Sequence, residues 1–179
     1  MNIEHAFTVE GFMSSAEIVY LAQVSAKSRR ICEIGSWKGR SSCAFAANTL
    51  GIVFCVDVWQ GSLENDFRIE DPNNPFIYDF MSNTSRYGNL VMVRKPSLEA
   101  AQILGTFCLF DAIFIDAGHR YEACRADILA WRPLLKSGGI LFGHDYGHFD
   151  WPGVKQAVDE LVPNFSIVPE TSIWTTEAL

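Results

Sequence analysis

The side chains best suited to chemistry follow short apolar runs. Phe114-Ile115 leads into Asp116 and then His119, while Ile140-Leu141-Phe142 leads through Gly143 and His144 into Asp145. An unperturbed imidazole titrates at about 6.5, so His119 can take a proton from a substrate near neutrality, and carboxylates beside it raise its basicity. Asp116, His119 and Asp145 therefore form the candidate reactive group, with His119 as general base. A lone histidine is more often a hydrogen-bonded part of the fold than a ligand, and His144 and His148 are read that way. Asp150 reads as the cap of a helix beginning near Pro152, and Asp127 as a residue that orients a neighbour.

A second group surrounds a glycine turn, Glu33-Ile34-Gly35-Ser36-Trp37-Lys38-Gly39-Arg40-Ser41. Gly35 and Gly39 let the backbone approach a ligand closely, and the free amides of a helix start, with the hydroxyls of Ser36 and Ser41, supply donors. Asp57 closes the next apolar run about twenty residues on, where a carboxylate can accept hydrogen bonds from both hydroxyls of a ribose. The three residues between the glycines break the G-x-G-x-x-G spacing of dinucleotide sites, so a nucleoside without a pyrophosphate suits the turn better. Asp57 also has a plain structural reading as a strand-end turn residue.

These residues need a parallel sheet behind them, because ligands of such sheets lie beyond the carboxyl ends of the strands. Ser14 and Glu17 have capping-box spacing before an amphipathic helix over 14–27. Strands are expected at 30–34, 52–58, 90–93, 110–115 and 140–142. The alternating helices are expected at 39–50, closed by Gly51, at 97–104, and along the face Tyr121, Cys124, Ile128, Trp131 and Leu135. Several strands are apolar nearly throughout, the mark of strands covered on both faces. Pro152 opens a last helix, and 165–168 with 172–176 read as an antiparallel hairpin around Pro169-Glu170-Thr171. The expectation is a single α/β domain, doubly wound and Rossmann-like, with a mostly parallel seven-stranded sheet. Between Trp59 and Gly88, prolines, asparagines and aspartates interrupt every period, so 59–88 reads as a loop or lid inserted at the site.

The Glu-Ile-Gly-Ser-x-x-Gly-x-Ser turn, Val56-Asp57-Val58-Trp59, Ser97-Leu98-Glu99, Phe114-Ile115-Asp116-Ala117-Gly118-His119-x-Tyr121 and Ser137-Gly138-Gly139 through Gly143-His144-Asp145-Tyr146 together resemble class I S-adenosylmethionine-dependent methyltransferases. Within that class the set is similar to small sugar and macrolide O-methyltransferases and, more distantly, to catechol O-methyltransferases. The resemblance spans roughly residues 30–162. It implies that Gly35 and its neighbours Glu33, Ser36, Gly39 and Ser41 contact the methionine end of S-adenosylmethionine and that Asp57 binds the ribose. It further implies that Ser97 and Leu98 follow the adenine edge, that Trp59 flanks it, and that Asp116 borders the cofactor. In the related sugar enzymes an Asp-x-x-His segment supplies a metal ligand and a base, which implies a Mg2+ held by Asp116 and Asp145 beside His119. One departure bears on that ion: Tyr146 stands where metal-dependent relatives carry a second carboxylate or amide.

Composition narrows the partners. The 179 residues are 49% hydrophobic and 20% charged, enough for a proper core without staples. With 21 acidic against 14 basic residues the net charge is -7, which offers phosphate polymers and anionic lipid no attraction. The Asp/Asn-Pro-Pro-aromatic segment of nucleic-acid amino-methylating enzymes is replaced by Asp116-Ala117-Gly118-His119. The expected partner is thus a small hydroxylated molecule, not nucleic acid or membrane. Its pocket would be completed by the N-terminal helix, the 59–88 loop, the 147–152 segment or a neighbouring subunit in a homo-oligomer. Five scattered cysteines without a C-x-x-C pair, and no signal-peptide pattern or long apolar run, give the expectation of a cytoplasmic protein. A non-catalytic nucleotide-binding module and a nicotinamide-dependent oxidoreductase are the alternatives, the second disfavoured by the glycine spacing.

Overall fold

The computed structural model describes residues 1–61 and 76–177. Helix α1 (Ser15–Lys27) opens with the capping box expected of Ser14 and Glu17: the Ser14 hydroxyl accepts from the Glu17 amide and the Glu17 carboxylate accepts from the Ser14 amide. Strand β1 (Arg30–Ile34) follows, then α2 (Arg40–Asn48), β2 (Ile52–Asp57), α3 (Phe76–Thr84), β3 (Leu90–Arg94) and α4 (Ser97–Gly105). The second half runs β4 (Phe110–Ile115), α5 (Tyr121–Trp131), β5 (Leu135–Gly143), α6 (Pro152–Leu161), β6 (Ser166–Ile167) and β7 (Trp174–Thr175).

The seven strands form one sheet in the order β3-β2-β1-β4-β5-β7-β6. The first five are parallel, and the terminal pair is antiparallel, as the sequence pattern predicts for an edge hairpin. From β1 the chain winds outward through β2 and β3, then returns to the other side of β1 at β4. That reversal opens a crevice beyond the carboxyl ends of β1 and β4.

The central strands β1 and β4 are buried on both faces, which explains their unbroken apolar runs. Ile31, Val53, Ala112, Phe114 and Phe142 pack with α1 and α2 on one side, while Cys32, Val56, Ile113 and Leu141 pack with α4, α5 and α6 on the other. Phe114 sits between Phe45 and Phe142 at ring distances of 5.7 and 4.9 Å.

Several expectations are corrected. Leu135 leaves the α5 face and begins β5, because Pro133 cannot continue the helix and turns 132–134 into a short 3-10 segment. The Ser137-Gly138-Gly139 turn lies inside β5 as a bulge, where the register jumps from Phe110↔Leu135 to Ala112↔Ile140. Gly51 does not close α2 in a left-handed turn; a Cβ there would lie 1.7 Å from the Arg29 carbonyl oxygen, so it is a close approach that demands glycine. The stretch 59–88 is not loop throughout, since α3 occupies its later part with Phe80 fully buried against Trp59. The central part of that stretch, 62–75, lies outside the described residues. No helix among the described residues is long and apolar enough to cross a membrane.

Candidate active site

A cleft of about 520 Å³ occupies the crevice at the switch point, within the range of small-molecule sites. Its floor is the glycine turn after β1. Gly35 donates to the Val56 carbonyl at 2.9 Å, while the Asp116 amide donates to Ile34 at 2.8 Å, so the turn is laced to β2 on one side and β4 on the other. With φ at +90° and an ideal Cβ only 1.9 Å from the Asp116 carbonyl oxygen, position 35 accepts no side chain.

Asp57 closes β2 against this turn. One carboxylate oxygen accepts the Trp37 amide at 2.8 Å and the other the Trp59 amide at 2.6 Å. Burial pushes its carboxyl above the ordinary range, opposed by these amides. Both tryptophans take positive φ, 40° and 53°, and Asp145 takes 62°, so strained backbone gathers around the cleft.

The reactive end is a run of contacts across four parts of the chain. Asp145 Oδ2 lies 3.0 Å from His119 Nε2, and Asp145 Oδ1 lies 3.3 Å from His144 Nδ1. The far nitrogen of His144 lies 3.1 Å from Glu17 Oε1, which also accepts the amide and hydroxyl of Ser172. Trp151 stacks on the His119 ring at 4.5 Å. Asp116 approaches His144 at 3.8 Å.

Electrostatics follow from this crowding. Burial opposes the charge on His144, but Asp116, Asp145 and Glu17 overcome it and raise its pKa to about 11. Burial alone would raise Asp145 and Glu17; the histidine contacts instead hold Asp145 well below the ordinary range and, with backbone donors, bring Glu17 down to about 2. Asp116 is pushed up to about 6 by burial, with His144 pulling against it.

Of the residues expected at the site, Gly35, Ser36, Gly39, Ser41, Asp57, Ser97, Asp116, His119 and Asp145 all line the cleft. Glu33, Trp59 and Leu98 do not. Glu33 is fully buried beneath the turn, where Ser36 and Ser42 donate to it and burial pushes its pKa up to about 7. Trp59 is buried against Phe80, its indole N–H donating to Trp37 at 2.8 Å. Leu98 points into solvent, 46% exposed. Ser97 reaches the cleft, but its hydroxyl serves the fold, donating to Asp127 at 2.5 Å and accepting from Trp131 at 2.8 Å. Asp127 is thus the orienting residue its position suggested. Asp150 lines the cleft instead of capping α6, whose N-cap is Trp151.

Sequence reasoning passed over Arg40 and Trp151, gave Glu17 its capping role alone, and read His144 as a hydrogen-bonded part of the fold. Arg40 lines the cleft, and its Nε is buried with no hydrogen-bond partner among the described residues; its Nη1 donates to both the Val9 and Gly11 carbonyls. A cation with a spare donor suits a carboxylate-bearing ligand. His144 had a signal, its place between a strand end and Asp145, whereas the capping box already accounted for Glu17.

Asp116, His144 and Asp145 each bring a potential ligand atom within 4.8 Å of one another, which invites a test for a cation site. A metal ligand needs a lone pair aimed at the ion, and both His144 nitrogens are turned toward carboxylates, Glu17 at 3.1 Å and Asp145 at 3.3 Å. Both Asp145 oxygens face histidine nitrogens. Tyr146 turns its hydroxyl away to Asp159 at 2.8 Å. The donor set therefore does not fit Mg2+, which takes near-octahedral oxygen coordination.

A family model described as "Methyltransferase domain" matches residues 32–146. No protein of curated function matches the chain. Among solved structures, an O-methyltransferase from Bacillus cereus in complex with SAH is similar at a TM-score of 0.67 and 16% identity, over 92% of this chain and 81% of that one. The SAH-bound methyltransferase PaMTH1 of Podospora anserina is similar at 0.62 and 20%, over 97% and 85%. CalS11, a TDP-rhamnose 3'-O-methyltransferase of calicheamicin biosynthesis, is similar at 0.64 and 18%, over 88% and 76%. At these identities the likeness is one of fold.

Proposed function

The chain belongs to the family of methyltransferase domains, and from that premise we propose that it transfers a methyl group from S-adenosylmethionine to a hydroxyl of a small molecule, sugar-like or phenolic. The observation that carries this reading is the convergence of the glycine turn, Asp57 and the His119–Asp145 pair on one cleft. When bound, S-adenosylmethionine supplies a methyl group on a positively charged sulfur. The turn at Gly35, with Ser36, Gly39 and Ser41, holds its methionine end, and the Arg40 guanidinium receives its carboxylate. Asp57 takes the ribose hydroxyls, and Ser97 borders the adenine. Glu33 and Trp59 act through the loops they brace.

His119 removes the acceptor proton. Asp145 Oδ2 lies 3.0 Å from Nε2 and Trp151 stacks on the ring, so carboxylate and indole together orient the imidazole beside the cleft. With S-adenosylmethionine bound, its methyl group would pass to the acceptor oxygen, and His119 would take the proton that this oxygen gives up. Asp145 then steadies the imidazolium, as a buried carboxylate behind a histidine does in other general-base sites.

Calorimetric titration with S-adenosylhomocysteine, followed by detection of its formation with panels of hydroxylated sugars and phenols, tests the reading. Micromolar binding and product with one acceptor class are expected. A well-folded protein that binds no S-adenosylhomocysteine would overturn it; binding with no turnover across both panels would favour a non-catalytic module.

A further inference from the structure

Three carboxylates, Glu17, Asp116 and Asp145, surround one ring at the end of β5, and a cluster of that charge needs a counter-cation inside the protein. Magnesium-dependent chemistry would place a divalent ion there. In this chain the place is taken by the His144 ring, its side chain 9% exposed, with Nε2 on Glu17 at 3.1 Å and Nδ1 on Asp145 at 3.3 Å. We propose that the His144 imidazolium is the built-in cation of this site, balancing and orienting Asp116 and Asp145 in place of a metal ion, so that transfer runs without one. This rests on the methyl-transfer reading above.

The geometry gives His144 a positioning role. By engaging Oδ1 of Asp145 it turns Oδ2 toward His119 Nε2 at 3.0 Å, which sets the base. Glu17 anchors the arrangement from α1, its other oxygen accepting the Ser14 amide at 2.8 Å. Asp145 is fixed from the backbone side as well, its amide donating to Ser172 at 3.3 Å in a left-handed conformation. The ring is therefore held between two rigid elements, with Glu17 on one nitrogen and Asp145 on the other.

Replacing the cation by a carboxylate, His144→Glu, puts four acids together and creates the demand for an ion that the native ring removes. Titration of wild-type protein with Mn2+ and with Zn2+, followed by the resonance of free Mn2+ and by calorimetry, is expected to show no stoichiometric binding below millimolar concentration. H144E is expected to take up one Mn2+ with at least tenfold higher affinity. Where turnover is measurable, the wild-type rate is expected to stay within twofold in EDTA or added Mg2+, and H144N to lose at least tenfold with S-adenosylhomocysteine affinity nearly intact. Stoichiometric micromolar Mn2+ or Zn2+ uptake by wild-type protein that disappears in H144N would overturn the proposal, as would a tenfold loss in EDTA restored by either ion. The ion titrations need no acceptor, so they decide this question even if methyl transfer fails its own test.

Discussion

Glu17 and His144, more than a hundred residues apart, meet at 3.1 Å between Oε1 and Nε2, joining the first turn of α1 to the strand end that carries the reactive carboxylates. The same glutamate caps its helix and holds Ser172 in the turn before β7. One side chain thus fixes the N-terminal helix, the edge hairpin and the site cation.

Removing that side chain should be costly. Breaking a buried ion pair destabilises by about 3–5 kcal/mol because the remaining charge is left uncompensated. Glu17→Gln is expected to lose an amount in that range in urea denaturation, with S-adenosylhomocysteine affinity reduced only a few-fold, since Glu17 does not line the cleft. Its folded pKa, about 2 against 4.5, is depressed, so its contribution is present above pH 4.5 and is lost as pH falls toward 2. Denaturation curves across that window should show a steeper slope in wild-type protein than in E17Q.

Glu33 behaves in the opposite sense. Its folded pKa is raised from 4.5 to about 7 by complete burial, so the stability it contributes is full below pH 4.5 and declines as pH rises to 7. A shift of that size corresponds to about 3 kcal/mol. Glu33→Gln should flatten the stability profile between pH 5 and 8 and be the more stable protein at pH 8; parallel profiles for the two proteins would refute the assignment.

His119 should matter for rate and little for cofactor binding. General-base removal costs roughly 10²–10⁴-fold. His119→Ala is expected to lose turnover in that range while binding S-adenosylhomocysteine normally. Trp151→Ala, which frees the ring without deleting it, should fall between wild type and H119A in kcat.

The relation of these residues to the sequence is uneven. The apolar runs of β1, β2 and β4 and the capping box of α1 were legible because local pattern and tertiary burial agree there. Helix α3 was hidden because Phe76, Ile77 and Phe80 follow a stretch rich in Pro and Asn, which masks the helical spacing. In the site, Asp57, Asp116 and His119 could be placed from strand ends alone. Glu33, Trp59 and Leu98 could not, because adjacency in a motif does not say which side of the backbone faces the cleft. The pairing of Glu17 with His144 is a long-range contact that no local spacing encodes.

Arg40 offers the sharpest check on how the cofactor is held. Its Nε is a buried donor with no partner among the described residues, in a cleft whose reactive end is lined by acids, which suits it to receive the carboxylate of the methionine end. A hydrogen bond to a charged group contributes about 1.5–3 kcal/mol, roughly a 10- to 100-fold change in affinity. Arg40→Gln should weaken S-adenosylhomocysteine binding by that factor while leaving 5'-methylthioadenosine, which lacks the amino-acid end, bound as in wild type. The comparison matters because Arg40 also tethers the Val9 and Gly11 carbonyls, and a loss of that tether alone would weaken both ligands alike. Calorimetry with the two compounds on both proteins therefore separates an anchor for the carboxylate from a brace for the N-terminal segment. Equal weakening of the two would assign Arg40 to the fold.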